Sequence, residues 1–562
     1  MPELTEVDPE APPDASTPAP ADGDAPACGS GPISAAKRFL TGLVRSETAR
    51  EFGLIAVIVI FIAVVARTMQ LGGHDWGDDF ALYMRQAKAL NIGNIGEVIA
   101  DNRFSVDNSG WHTFSPYAYP WGWPLLVAPL YALFGLNYGV FKLLEIAAFC
   151  TFLLLFFAIT KPRVGARAAT LLTLLIGLSF DYVGATNTVL SDIPYLGFVG
   201  LSLWWLDRCR VRGILSINRR DLVILGLLLA YTYNIRREGA ALLLSLASLH
   251  FAVVAPAVVR ERSLRFLREC DWRQIFLPYI TFALSVVVFH LLLPTVLLAP
   301  AGGVGLQNVS SRIAGYKDIL AQQIGLKPLG EPIQLFHNEV LGRYVLLLLV
   351  LLAVVGLVTR LLCAFREDLA IAAYLCGSSL ILLLLPFQDN RYLFTITPFL
   401  VYFAYHAILY TPEGTRSRSP VAHQLLSLAP VVCLAGLVLL NAQILDHAFD
   451  YYRQPGYVLD GPESPEAREM FAAVEDRTRS DAVILFFRSR AMTLYTDRQS
   501  IMGADLNDVL QRADWYVMKK DSTYSQKLLS DAEASTYGLT KTWENPGWVM
   551  WRIPRPLAAE TG

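Results

Sequence analysis

Residues 53–65 read GLIAVIVIFIAVV, an uninterrupted apolar run without a single charge. It sits inside a longer apolar segment near 52–70, and about 20 helical residues cross the ~30 Å hydrocarbon core of a bilayer. Lys37, Arg38, Arg45 and Arg50 precede it. Positive charge on that side holds the start of the run in the cytoplasm, so it reads as a signal anchor and not as a cleaved signal peptide.

Comparable runs follow near 139–160, 166–186, 191–206, 221–235, 239–259, 275–298, 342–363, 368–387, 392–411 and 423–446. With the first, they make eleven expected spans. The run Trp123–Phe134 is too short to cross and reads as an interfacial or re-entrant helix. Composition agrees with a chain solvated by lipid: 54% of the 562 residues are hydrophobic and 17% charged, with a mean hydropathy of +0.40. A net charge of −2 without a basic block excludes a nucleic-acid partner.

The positive-inside rule sets the orientation. The loops assigned to the inside contain Lys161, Arg163 and Arg167; Arg208, Arg210, Arg212, Arg219 and Arg220; Arg260, Arg262, Arg265, Arg268 and Arg273; Arg360 and Arg366; and Arg416 and Arg418. The long segments 71–138 and 299–341 carry few cations and fall outside. An odd number of spans then leaves 447–562 outside as well. Residues 1–46, rich in Pro, Ala, Asp and Glu, read as a disordered cytoplasmic tail. The seven cysteines show no metal spacing and behave as small hydrophobes. Beyond residue 447 the pattern changes: Asp481–Phe487, Trp515–Met518 and Trp548–Ile553 read as strands and Asp505–Ala513 as a short helix, together a small α/β domain.

Four polar clusters fall on the outer side. Asp78 and Asp79 lie in Trp76-Gly77-Asp78-Asp79-Phe80-Ala81-Leu82-Tyr83, where they either cap the next helix or present two carboxylates to a site. Asp192, in Ser191-Asp192-Ile193-Pro194, has the same two readings. Arg236, Arg237 and Glu238 form a tight turn; membrane-edge charges pair with one another or line a functional cavity. Arg391 and Tyr392 follow Phe387-Gln388-Asp389-Asn390, and the guanidinium fork suits either lipid headgroups or a gripped phosphate.

Carboxylates and arginines at one membrane face suit attack by a hydroxyl on an anomeric carbon whose leaving group is a lipid phosphate. A positioned base contributes about 10²- to 10⁴-fold, and cations hold the departing charge. The residues also resemble a family. Gly77–Tyr83, followed by Ala87-Lys88-Ala89-Leu90, is similar to the first outer-loop motif of polyprenyl-phosphate-sugar-dependent glycosyltransferases of the GT-C fold, which include protein O-mannosyltransferases and aminoarabinose transferases. Tyr119-Pro120-Trp121-Gly122-Trp123-Pro124-Leu125-Leu126 resembles the Pro-Pro-Leu region of that family, with Trp121-Gly122-Trp123 interrupting it. Ser191–Pro194 resembles its Asp-x-Pro motif; Arg236–Gly239 and Arg391-Tyr392-Leu393 with Pro398 resemble its later arginine signatures. Asp-Asp at 78–79 stands where Asp-Glu is common.

The resemblance implies an α-helical multi-span membrane protein, GT-C-like over 47–446, with a C-terminal extracytoplasmic α/β domain. It further implies inverting transfer of a sugar from a polyprenyl-phosphate donor to a hydroxyl of an extracytoplasmic lipid, envelope glycan or protein. Asp78 would be the base, Asp79 would orient the acceptor, and Asp192 would shape the site or hold a cation. Arg236, Arg237 and Arg391 would meet the donor phosphate; Tyr83, Tyr119, Trp123, Glu238, Lys317 and Tyr392 would contact substrate. No cofactor is required and a divalent cation is left open. The long outer loop 299–341 is expected to be mobile and to close over the donor, with Tyr316, Lys317 or His337 reaching the site. Trp76, Trp111, Trp121 and Trp123 either stack on sugar rings or belong to the interfacial belt; His74 and His112 are weak metal candidates. A transporter or lipid flippase is the alternative class, and it calls for repeated halves or broken midplane helices, of which the sequence has no sign. The acidic tail points to a bacterial inner membrane.

Overall fold

A computed structural model describes residues 47–110, 116–261, 271–295, 309–385, 388–409, 420–453, 459–521, 524 and 526–554. The N-terminal tail, Trp111, His112, Phe387, Gly302, Gly303 and the inner-loop arginines 262, 265, 268, 416 and 418 lie outside those residues.

Among the described residues, seven helical segments are long and apolar enough to cross a membrane: Arg50–Thr68, Tyr138–Val164, Arg237–Ala255, Trp272–Leu292, Glu339–Cys363, Phe365–Leu384 and Leu428–Asp450. Helices of this kind satisfy every backbone group internally and can therefore sit in lipid. Large apolar side chains such as Leu284, Val287, Leu291, Leu347, Leu351 and Val355 remain exposed on their outer faces, where only lipid is a suitable solvent. The chain is an integral membrane protein.

Helices also occupy the other four expected spans, with different limits. Asp192–Arg212 is longer than the apolar run that announced it, and Arg219–Ile235 follows it closely. The run 166–186 is not one helix: Ala166–Gly177 stops, Ser179 turns extended, and a short helix, Phe180–Ala185, restarts. The run 392–411 opens with a 3-10 turn, Asn390–Leu393, before the helix Thr397–Leu409, which takes Pro398 in its first turn. The short run 122–134 is a helix, Gly122–Phe134. A Cβ on Gly122 would lie 2.6 Å from the Asn234 carbonyl carbon, so only glycine lets the two backbones meet there.

Segment 71–138 carries two further helices, Asp79–Ile92 and Ile95–Asn108, separated by Gly93 in the left-handed region at φ 81°. The described part of segment 299–341 opens with a helix, Val309–Gln323, with Tyr316, Leu320 and Ala321 buried.

At the far end of the helices a charge cluster ties the bundle together. Asp368 accepts from Arg163 Nε at 2.9 Å and Tyr402 Oη at 3.0 Å and pairs with Arg360. Arg163 also reaches Asp207 at 2.5 Å, so these groups satisfy one another.

The C-terminal part is a five-stranded sheet in the order β2-β1-β3-β5-β4. Here β1 is Val483–Leu485, β2 Gln499–Ile501, β3 Trp515–Lys519, β4 Thr540–Glu544 and β5 Trp548–Arg552. β1 pairs in parallel with β2 and β3, while β5 runs antiparallel to both of its neighbours, β3 and β4. Three of these strands match the sequence reading; β2 and β4 are additional, as is a helix, Ser489–Thr496, between β1 and β2. One face of the sheet packs on Met470, Phe471 and Val474, the other on Leu506, Val509 and Leu529.

Candidate functional site

An open cavity of about 640 Å³ is lined by Asp78, Asp79, Asp192 and Arg391 together with Glu145, Asp181, Asp389 and Arg488. Each of the first four stands at a helix start or in a break between helices, where short polar segments carry side chains to one place.

Asp78 occupies the N-cap position of Asp79–Ile92, but its side chain makes no capping bond. Its Oδ1 instead accepts the backbone N–H of Arg490 at 3.1 Å. Asp79 Oδ1 accepts from Tyr119 Oη at 2.5 Å, and Oδ2 lies 3.3 Å from Arg391 Nη2. Asp192 receives Arg236 Nη1 at 2.5 Å on one oxygen and faces Arg391 Nη1 at 3.5 Å with the other. Arg391 also donates through Nε to Asp389 at 2.9 Å. One guanidinium therefore gathers three carboxylates from three separate parts of the chain.

The two neighbouring aspartates are electrostatically unlike. Burial pushes the Asp78 carboxyl above its ordinary value, only partly offset by Arg490 and Arg488. Burial also opposes ionisation of Asp79, yet Arg391, Arg490 and the Tyr119 hydrogen bond outweigh it and hold Asp79 low. Tyr119, raised far above its ordinary value by burial and by Asp79, stays protonated and donates. Asp79 is thus a fixed anion, and Asp78 is the more basic of the pair.

Behind Arg391 lies a small void of about 20 Å³, bounded by Asp192, Tyr195, Arg236, Glu238 and Tyr392. Arg236 donates to Glu238 at 2.9 Å and lies over the Tyr392 ring at 5.2 Å. Of these residues Asp192 alone also lines the larger cavity; Tyr195, Arg236, Glu238 and Tyr392 stand behind it. Tyr83 shares a hydrogen bond of 2.9 Å with Ser191 and packs on Tyr119 at 4.8 Å between ring centres.

Arg237, Trp123, Lys317 and Trp121 are not brought to the cavity. Arg237 turns back onto the preceding helix, Arg219–Ile235, over the Tyr233 ring at 4.5 Å and donating to the Asn234 side chain at 3.2 Å. Trp123 is fully buried in the helical core and lines neither space. Lys317 is 54% exposed beside Asp318. Trp76 lines the cavity but is itself buried, its indole packed among Phe486, Phe487 and Trp548. Trp121 is buried too, donating to the Pro294 carbonyl at 3.0 Å. His74 lines the cavity, its Nε2 accepting the Val189 N–H at 3.0 Å and its Nδ1 pairing with Asp75. Among the described residues no group of three or more His, Cys, Asp or Glu is arranged to hold a metal ion.

Sequence reading missed Arg488 and Arg490, which follow β1 and reach back to the outer-loop motif. Arg488 Nε donates to the Trp76 carbonyl at 2.6 Å. Their only local signal is a pair of cations directly after the buried Phe486-Phe487. Glu145 was missed because it sits within an apolar helix; its Oε1 accepts the Leu190 N–H at 3.1 Å, just before the Ser191–Pro194 motif.

The sequence matches no family model and no curated protein. Solved structures do resemble it. ArnT from Cupriavidus metallidurans bound to undecaprenyl phosphate superposes with a TM-score of 0.51 at 11% identity, covering 89% of this chain and 97% of that one. The apo form of ArnT from the same organism gives 0.50 at 12% identity, over 92% and 98%. An oligosaccharyltransferase from Archaeoglobus fulgidus, in complex with zinc and sulfate, gives 0.51 at 10% identity, over 89% and 74%. Likeness at such identities concerns architecture: the chain has the GT-C fold, with its helical membrane part and a small C-terminal sheet.

Proposed function

We propose that this protein is an inverting glycosyltransferase that moves a sugar from a polyprenyl-phosphate donor to a hydroxyl of an extracytoplasmic acceptor. The observation that carries the reading is the convergence of Asp78, Asp79, Asp192 and Arg391 on one cavity. Its fold is shared with ArnT, which binds undecaprenyl phosphate. Residues 47–446 act as the catalytic membrane domain and 447–562 as an extracytoplasmic α/β domain. The cavity opens on the outer side of a bacterial inner membrane, as the basic inner loops suggest.

In this mechanism the acceptor oxygen attacks the anomeric carbon and its proton passes to Asp78, the more basic carboxylate. The bond from the anomeric carbon to the phosphate oxygen breaks, and its electron pair leaves with the lipid phosphate. Arg391 faces that charge with a fork of donors, and Arg236 and Glu238 brace Asp192 and Tyr392 behind it. Asp79, held as an anion by Arg391 and Tyr119, orients the acceptor. Asp78→Asn tests the assignment: the variant is expected to insert and fold yet lose transfer to an extracytoplasmic acceptor by about 10²- to 10⁴-fold. Transfer at the wild-type rate refutes it.

A further inference from the structure

Two carboxylates adjacent in sequence repel each other where both are largely buried, and Arg391 touches only Asp79 of the pair. The second compensating cation comes from the opposite end of the chain. Arg490 is 4% exposed, and its Nη1 lies 3.6 Å from Asp78 Oδ2 and 3.8 Å from Asp79 Oδ1. The same nitrogen donates to Tyr119 Oη at 3.0 Å, the hydroxyl that in turn donates to Asp79. Nε donates to Asn102 Oδ1 at 2.9 Å and Nη2 to the Pro116 carbonyl at 3.3 Å. Its backbone N–H holds the remaining oxygen of Asp78. A buried guanidinium this fully partnered has a fixed position, and so do the carboxylates around it.

The docking that delivers Arg490 is itself specific. Trp76, two residues before Asp78, inserts into the aromatic cluster of the sheet and donates to Asp460 at 2.9 Å. Ser489 and Ser105 share a hydrogen bond of 2.9 Å on the other side of Arg490. The α/β part thus holds segment 71–138 at Trp76, just before the aspartates, and again at Ser105 in the helix Ile95–Asn108.

We propose that Arg490 is a positioning residue of the transferase site, supplied by the C-terminal α/β part to hold the Asp78 carboxylate towards the acceptor. This rests on the assignment of Asp78 as the base. The α/β part is then a component of the active site and not an appended binding module.

The groups facing Asp78 fix what removal of Arg490 does to pH dependence. Asp79 on its own helix disfavours the charged form, while Arg490 and Arg488 from the α/β part favour it. Arg391 and Tyr119 act on it through Asp79, and His74 and Asp75 line the same cavity from the preceding loop. With Arg490 gone, burial and Asp79 are less opposed, and Asp78 ionises only at higher pH.

The full-length protein in lipid nanodiscs, assayed with a polyprenyl-phosphate sugar, is compared with Arg490→Gln, Arg490→Lys, Arg490→Ala and Asp78→Asn. Arg490→Gln is expected to lose about 10²-fold in kcat, as removal of one charge-stabilising donor does. Donor KM stays within about threefold of wild type, because Arg391 is intact, and the acid limb of the pH profile moves to higher pH. Lysine, which keeps the charge without the fork, is expected to keep the limb near wild type with an intermediate kcat. Added methylguanidinium restores part of the activity of Arg490→Ala.

Wild-type kcat with an unmoved acid limb in Arg490→Gln overturns the proposal. So does an activity loss that tracks loss of folded protein, with no limb shift and no guanidinium rescue, since that is a structural brace only. If the glutamine variant does not accumulate, Arg490→Lys decides: reduced kcat at unchanged donor KM supports the proposal, and wild-type kcat overturns it. Asp78→Asn separates the two levels. An active Asp78→Asn removes the base assignment itself, whereas an inactive Asp78→Asn beside a wild-type Arg490→Gln removes only the role of Arg490.

Discussion

Arg391 Nη2 lies 3.3 Å from Asp79 Oδ2, although the two residues are 312 apart in sequence. The same guanidinium faces Asp192 at 3.5 Å and Asp389 at 2.9 Å. The Arg391 charge is therefore balanced by carboxylates from three segments of the chain.

Arg391→Ala is expected to lower kcat/KM for the lipid-phosphate donor by about 10²- to 10³-fold, the usual effect of losing a charge-stabilising donor. Arg391→Lys recovers little, because a point charge cannot face Asp79, Asp192 and Asp389 together. Initial rates against donor concentration check this. A donor dependence identical to wild type removes Arg391 from the phosphate site.

The pH profile follows from the two aspartates. The base must be ionised, so kcat/KM falls as pH drops through the pKa of Asp78, which burial raises above the ordinary value. The acid limb is expected above the ~3.9 of an unperturbed aspartate. Asp79, held low by Arg391 and Arg490 against its burial, stays charged throughout that limb. A limb at or below the ordinary aspartate value contradicts the assignment of Asp78.

Gly122→Ala is expected to destabilise the protein by about 1–3 kcal/mol, since the new Cβ meets the Asn234 carbonyl group at 2.6 Å and a backbone cannot swing aside. Asn234 leads directly to Arg236, so transfer per folded molecule falls too. Thermal unfolding in detergent, read beside specific activity, tests both effects; wild-type values of each would show that the two helices tolerate separation.

Asp368→Asn acts at the far end of the bundle. The side chain of Asp368 is 0% exposed and partners Arg163 and Arg360; the variant removes that charge but leaves Arg163 paired with Asp207 and Arg360 with Glu367, so the cost is about 1–3 kcal/mol. Yield and melting temperature are expected to drop while transfer per folded molecule holds. A catalytic defect in stable protein points to coupling between the two ends.

Much of this architecture is written locally. A bilayer demands long apolar helices, and helix ends demand polar residues, so the runs and the clusters at 78–79, 192, 236–238 and 391 are legible without coordinates. Apolarity alone does not reveal a broken helix, which is why 166–186 reads as one span although it stops at Gly177. Nor does it reveal which way a side chain turns at a helix end: Arg236 faces Asp192, while its neighbour Arg237 turns onto Tyr233.

The sequence by itself determined that this chain lives in a membrane and that aspartates and arginines collect at its helix ends, because hydrophobic length and charge placement are properties of short segments. Tertiary structure alone decided that Arg490 completes the Asp78–Asp79 pair and that Trp76 packs into the aromatic cluster of the sheet. Both depend on how a sheet formed some 400 residues later docks against the outer-loop helices, and pairing between distant side chains leaves no periodic trace in either partner.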